Sequence, residues 1–222
     1  MPKRVHYHRN GKKRQREYDK SARTKAAILR AALREFARHG IAGARVDRIA
    51  RAAGVNNHAL YYHFGNKEAL FRLVLEHGYK SFRANHASRV FDGMDPEAGV
   101  ANIVSDVFDF VQSSPEHMAV AMEVNRHRGA NLDAEGSRHV QTAAAPLLSD
   151  LEAVVRLGKA QKRFAPRTTA QHLYFSIFAL CSFYFSNAYT VSAVVGRDLL
   201  KPAAIEERKK EISRFVLAAL RP

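Results

Sequence analysis

Residues 53–70 read AGVNNHALYYHFGNKEAL, and their punctuation fixes a short helix between two others. Gly54 suits the left-handed conformation that ends a helix, and Val55 can plug a core across the turn. Asn56 or Asn57 can cap the next helix, because a side-chain oxygen accepts one of its orphaned backbone N–H groups. That helix turns Leu60 and Phe64 inward, with Tyr62 partly so, until Gly65 breaks it; Asn66 then caps a fourth helix. Two turns of helix cannot carry a core of their own. They do aim Asn, His and Tyr side chains outward.

Upstream, Ile28, Leu29, Ala32, Leu33 and Phe36 follow a 3.6-residue stripe from a helix start near Ser21, with Ala22 at its head, and His39-Gly40 is the expected stop. Next, Val46, Ile49, Ala50 and Ala53 form the buried face of a short second helix. Downstream, Ala69, Leu70, Leu73, Val74 and Tyr79 mark the fourth. Two short helices joined by a Gly-containing turn and packed on a longer one make a helix-turn-helix, whose second helix lies in the DNA major groove with its N-terminal residues at the base edges.

The charge agrees. The chain of 222 residues carries 36 Lys+Arg against 21 Asp+Glu, a net +15. Residues 1–83 hold 20 against 6, and residues 84–222 hold 16 against 15, so nearly all the excess lies in the first third. Such segregation suits a densely negative partner, nucleic acid first and an anionic membrane second. Residues 1–20 lack apolar periodicity and read as a basic, flexible arm, either a solubilising tail or a contact to the minor groove and flanking phosphates. His6 and His8, with no third ligand, do not make a metal site. No apolar run follows the basic N-terminus, so no secretory signal is expected, and the single Cys181 allows no internal disulfide and fits a reducing compartment.

Beyond residue 85, longer amphipathic helices are expected near 96–112, 115–128, 133–158, 169–196 and 203–220. The breakers between them are Gly93, Pro96, Ser113-Ser114-Pro115, Gly129, Pro166, Gly196 and Pro202. No alternation of strand type persists, and no repeat of fixed period occurs. The fold class is all-α.

These motifs carry a family resemblance. Phe36-Ala37-Arg38-His39-Gly40, then Val46 through Val55, then Leu60-Tyr61-Tyr62-His63-Phe64-Gly65-Asn66-Lys67-Glu68-Ala69-Leu70 resemble the TetR family of transcriptional regulators in order and spacing. The resemblance implies a three-helix DNA-binding domain over 21–66 and a larger helical effector-binding and dimerisation domain over 67–222. It implies further that Tyr61, His63 and Lys67 bind backbone phosphates while Asn56, Asn57 and His58 face the bases. The chemistry fits: Tyr, His and Lys are donors to phosphate oxygens, and Asn pairs bidentately with adenine. His58 could donate to guanine or fill space against a thymine methyl. There is one departure from the family pattern. Ala44 and Arg45 stand where a threonine pair is usual, so Arg45 would serve that phosphate by charge, without the hydroxyl contact.

Residues 168–196 contain no Asp, Glu, Lys or Arg. Thr, Gln, His, Ser and Asn dilute the stretch, which argues against a membrane span. It shows one stripe of Phe175, Phe178, Phe185 and Tyr189, and another of Tyr174, Ile177, Cys181, Tyr184 and Val191. With the stripe of the last helix, Ile205, Ile212, Phe215, Val216 and Leu220, it is expected to form a four-helix interface in a homodimer. A two-fold dimer reads a palindromic operator. The family resemblance implies a small-molecule effector, and Phe82, Phe108, Phe110, Met118, Met122, Asn125, His127, Tyr174 and Phe178 are candidate lining residues, each equally suited to ordinary core. Many aromatics with few charges suit an apolar or aromatic effector with one or two polar handles. No nucleophile elbow, P-loop, dinucleotide glycine pattern or zinc-protease motif occurs, so an enzyme is not expected, nor a cofactor. Cys181, amid apolar residues, reads as an inert core thiol. The reading is a ligand-responsive repressor in the cytoplasm; the alternative is a basic architectural protein binding DNA without sequence preference.

Overall fold

The computed structural model describes residues 8–85 and 95–222, and side chains at 18–82 and 95–222. The described residues form helices alone: α1 (His8–Gly43), α2 (Val46–Ala53), α3 (Asn57–Phe64), α4 (Lys67–Asn85), α5 (Pro96–Ser113), α6 (Pro115–Arg126), α7 (Ala134–Ala160), α8 (Ala170–Ser186), α9 (Ala188–Val195) and α10 (Pro202–Leu220). His6 and Gly93 lie outside the described residues, as do residues 1–7 of the expected arm.

These helices gather into two compact units. The first takes the chain to Leu75 together with Ala119–Asp133; the second takes Glu76–Met118 and Ala134–Pro222. The chain passes between them three times: within α4, within α6 and at the start of α7.

In the first unit Ile28, Ala32 and Phe36 of α1 bury against Ile49 and Ala50 of α2, Leu60 and Phe64 of α3, and Leu70, Phe71 and Val74 of α4. Phe36 meets Phe71 edge-on at 5.2 Å, a favourable aromatic geometry. Gly54 ends α2 at φ 69°, its N–H reaching back to α2 carbonyls, and Val55 is half-buried behind it. Helical bonding in α1 continues to Gly43, but Gly40 (φ 62°, ψ 178°) breaks its path where a stop was expected. At the other end the structure differs: α1 starts at His8, not near Ser21. Residues 8–20 hold Lys, Arg, Gln and Glu, good helix formers. Their composition favours helix without any apolar period. Ala22, placed on the apolar stripe, is exposed.

In the second unit α5 supplies Val100, Ile103, Val104, Val107, Phe108 and Val111 to a core completed by α7, α8 and α10. The single helix expected over 169–196 is instead α8 and α9, bent by 78°. The break falls at Asn187 (φ −115°, ψ 12°), whose backbone N–H and side-chain amide both donate to the Phe183 carbonyl, each at 3.1 Å. Tyr184 then donates to the Leu199 carbonyl at 2.6 Å, holding the segment after α9. No single described helix is long and apolar enough to cross a membrane; α8 and α9 together pass only on length and composition.

Candidate DNA-binding and effector sites

At α3, capping decides which asparagine is available. Asn56 is the N-cap, its Oδ1 accepting the Ala59 N–H at 2.8 Å. Asn57 and His58, in the first turn, are exposed. Asn66 caps α4 in the same way, accepting from Ala69 N at 2.7 Å. Tyr61 is exposed, and His63 is half-buried, its ring 5.2 Å from that of Tyr62 and 6.2 Å from that of Phe64. Tyr62 corrects the sequence reading: expected to turn partly inward, it is 79% exposed. On so short a helix Leu60 and Phe64 alone take the inward arc. Lys67 is half-buried, with Nζ 3.5 Å from the Ala44 carbonyl.

Before α2, Ala44 is buried and Arg45 is the N-cap residue but offers no side-chain cap. Glu35 of α1 replaces it. Its Oε1 accepts the Arg45 N–H at 3.0 Å and Arg48 Nε at 2.7 Å. Burial raises the Glu35 pKa, but the Arg48 hydrogen bond, the Arg45 N–H and the Arg48 charge outweigh it and hold the carboxylate below its usual range. A second acid was missed in the sequence. Glu123 is buried in α6, where Oε1 accepts the Ile41 N–H at 3.1 Å, just past the Gly40 break, and lies 3.1 Å from His127 Nε2. The signal was an acid between Val120 and Val124 on one helical face.

The effector candidates divide. Phe82 meets Phe110 edge-on at 5.0 Å and lies 6.5 Å from Phe178, which in turn contacts Tyr174 at 4.6 Å. Met118 packs against the same core. Phe108 is fully buried beside Phe185, a core position. Met122, Asn125 and His127 are exposed and belong to the first unit; Asn125 donates to Ala121 O of its own helix. The structure adds a residue the sequence did not suggest. His117 stacks on His77 at 5.8 Å and on Phe110 at 6.3 Å, packed so closely over Gly78 that a Cβ there would come 2.9 Å from its ring. Its Nε2 is buried with no hydrogen-bond partner among the described residues. Burial chiefly, with His77, lowers its pKa against Glu116, which favours a neutral ring. Cys181 is fully buried, and burial pushes its thiol up to about 12, so it stays protonated. Among the described residues no group of His, Cys, Asp and Glu could hold a metal.

Residues 28–74 match the family of bacterial regulatory proteins, tetR family. Residues 96–216, most of the second unit, match the tetracyclin repressor-like C-terminal domain. The HTH-type transcriptional repressor NicS of Pseudomonas putida is 33% identical over 199 residues, 90% of this chain and 93% of that protein. The HTH-type transcriptional repressor SCO4008 of Streptomyces coelicolor is 60% identical over 53 residues, 24% of this chain and 28% of its own. The crystal structure of a candidate transcriptional regulator, SCO4942 from Streptomyces coelicolor, superposes with a TM-score of 0.67 at 24% identity, covering 90% of this chain and 99% of that one. With a helix-turn-helix in its first unit and both of these domain matches, the chain belongs to the TetR family and is a DNA-binding transcriptional regulator.

Proposed function

We propose that the chain is a repressor that binds a palindromic operator as a homodimer and leaves it when a small molecule binds. One observation carries the DNA side: Asn57 and His58 stand exposed on the first turn of α3 while Asn56 is occupied as its cap. Asn57 and His58 read bases, and Tyr61, His63, Arg45 and Lys67 hold phosphates, Lys67 exchanging its Ala44 carbonyl for the stronger charged acceptor. A role on DNA fits a cytoplasmic protein.

The effector site is the cluster of Phe82, Phe110, Tyr174 and Phe178, with Met118 beside it. The aromatic walls suit a flat, largely apolar ligand, and His117 Nε2 supplies the polar handle. Because α6 carries both Met118 and Glu123, a ligand that displaces α6 loads the Glu123–Ile41 hydrogen bond. Binding then favours the state with weaker operator affinity, by the difference in ligand affinity between the two states.

Selection of bound duplexes from a random pool tests the reading. A palindrome with half-sites about one helical turn apart is expected. Asn57→Ala should change the enriched sequence, while Lys67→Ala should weaken all sequences alike and flatten the salt dependence by about one unit of slope per contact. Salt-sensitive binding without enrichment would replace this reading with the architectural one.

A further inference from the structure

The match to the family's DNA-binding domain begins at residue 28, yet α1 begins at His8. The helix ahead of the match has an unusual composition. Residues 8–20, HRNGKKRQREYDK, contain no aliphatic side chain, and Tyr18 is exposed. This stretch has nothing to bury, so packing does not account for it. Residues 8–30 hold nine Lys and Arg against two Asp and Glu.

The spacing of the cations is ordered. Arg9, Lys13, Arg16, Lys20 and Arg23 follow one another by four, three, four and three residues. In a helix of 3.6 residues per turn those register positions share an arc of about 80°. Lys20 and Arg23, both exposed, say where that arc points. Together with Asp19, Thr24 and Ala27 they form one wall of an open groove of about 390 Å³. Its other wall is Ala53, Gly54 and Val55, the turn that delivers the first residues of α3. Lys20 and Arg23 therefore border the turn into the element that presents Asn57 and His58, and Asp19 is the one acid lining that groove.

We propose that the N-terminal stretch of α1 is a second DNA-contacting element, which lays its cationic stripe on the phosphate backbone outside each half-site. The inference rests on the reading of α3 as the element in the major groove. Long side chains in helical register, without Asn or Gln among the five, bind backbone charge and not base edges. Thirteen residues of helix span about 20 Å, so the stripe can follow up to about six base pairs at 3.4 Å each.

The test uses the full chain and two duplexes carrying the selected operator. One ends at the outer edges of the half-sites; the other extends six base pairs further on each side. Wild-type protein should bind the longer duplex about tenfold more tightly or better, and K13Q/R16Q/K20Q/R23Q should bind both alike with its sequence preference intact. In K20Q/R23Q a dimer loses four contacts, so the slope of log K against log salt should become shallower by about 3 to 4. Lys20 and Arg23 are exposed, and K13Q/R16Q alone provides a second variant whose substitutions lie ahead of Ser21 in the sequence. Equal wild-type affinity for the two duplexes, with an unchanged slope in the variants, overturns the proposal. Failure of the α3 reading shows separately, as an absence of any enriched sequence. The slope comparison is then made on arbitrary duplex, where a loss in the variants still supports the stripe and no loss removes it.

Discussion

Glu35 is the residue on which the entry to α2 depends. The helix begins at Val46 with no side-chain cap of its own, and a missing cap typically costs about 1 kcal/mol. Glu35 supplies the acceptor from another helix, and Arg48 keeps its carboxylate ionised. We expect Glu35→Gln to lower stability at pH 7 by about 1–2 kcal/mol in urea unfolding, because a charge-assisted pair becomes a neutral one. The folded pKa of Glu35 lies below its usual 4.5. Its contribution is therefore complete above that value and is lost as pH falls through the lower folded value. The gap between wild type and variant should narrow as unfolding is repeated at pH values falling through that lower folded value. A gap that stays constant with pH would assign the effect to packing. Much at this scale was legible: Asn66 as a cap, Gly54 as a stop and Asn57 facing outward all follow from local chemistry. The choice of Asn56 over Asn57 does not, since either side chain could reach an orphan N–H and one residue of register decides. Glu35 and Glu123 were hidden for another reason. Their partners lie 10 and 82 positions away, beyond any local pattern.

At the scale of helices, the sequence located the apolar ones well and misjudged two others. Periodicity reports a helix only through the face it buries. Residues 8–20 contain no aliphatic side chain to make such a face legible, so a helical segment read as an arm. In residues 169–196 the opposite held: apolar residues continue on both sides of Asn187, and the bend falls at that single residue, whose side-chain amide bonds the Phe183 carbonyl. The end of α7 shows a constraint that composition also conceals. Gly158 is buried, and the Arg163 and Phe164 N–H groups both return to its carbonyl at 2.8 and 3.1 Å. That turn folds the buried Phe164 ring onto the glycine, so a Cβ at 158 would clash with the ring carbons. Gly158→Ala should destabilise by about 2 kcal/mol or more even though alanine is the better helix former. Thermal unfolding checks it, and the double variant Gly158→Ala/Phe164→Leu should recover part of the loss. A neutral or stabilising Gly158→Ala would mean that the ring swings aside at no cost.

At the scale of the molecule, the remaining question is what covers α8. One face of that helix enters the core through Leu173, Ile177, Cys181 and Tyr184. The opposite face carries His172, Phe175, Ser176, Ala179, Phe183 and Ser186, all exposed and none of them Asp, Glu, Lys or Arg. Phe175 is 60% exposed and Phe183 56%, while Phe215 of α10 is 59% exposed. Exposed phenylalanines on an uncharged helical face fit a small, flat contact between two copies, with Ala179 allowing the helices to approach. Each phenylalanine fully buried is worth about 1.5–3 kcal/mol, and two-fold symmetry counts it twice. Phe183→Asp should therefore weaken self-association about 100-fold or more, since 1.4 kcal/mol is a factor of ten, and the introduced carboxylate adds to the loss. Sedimentation across a concentration series would read the change directly, with the thermal transition of the monomer as a control for folding. Operator binding by the variant should require correspondingly higher protein concentration and become steeper in it, because dimerisation is then drawn from the free energy of DNA binding. Phe108 provides the contrast: it is fully buried in the core, so Phe108→Ala should lower the unfolding transition whether or not the dimer is intact. If Phe183→Asp leaves the sedimentation profile unchanged, α8 is not the dimer face, and its exposed phenylalanines need another partner.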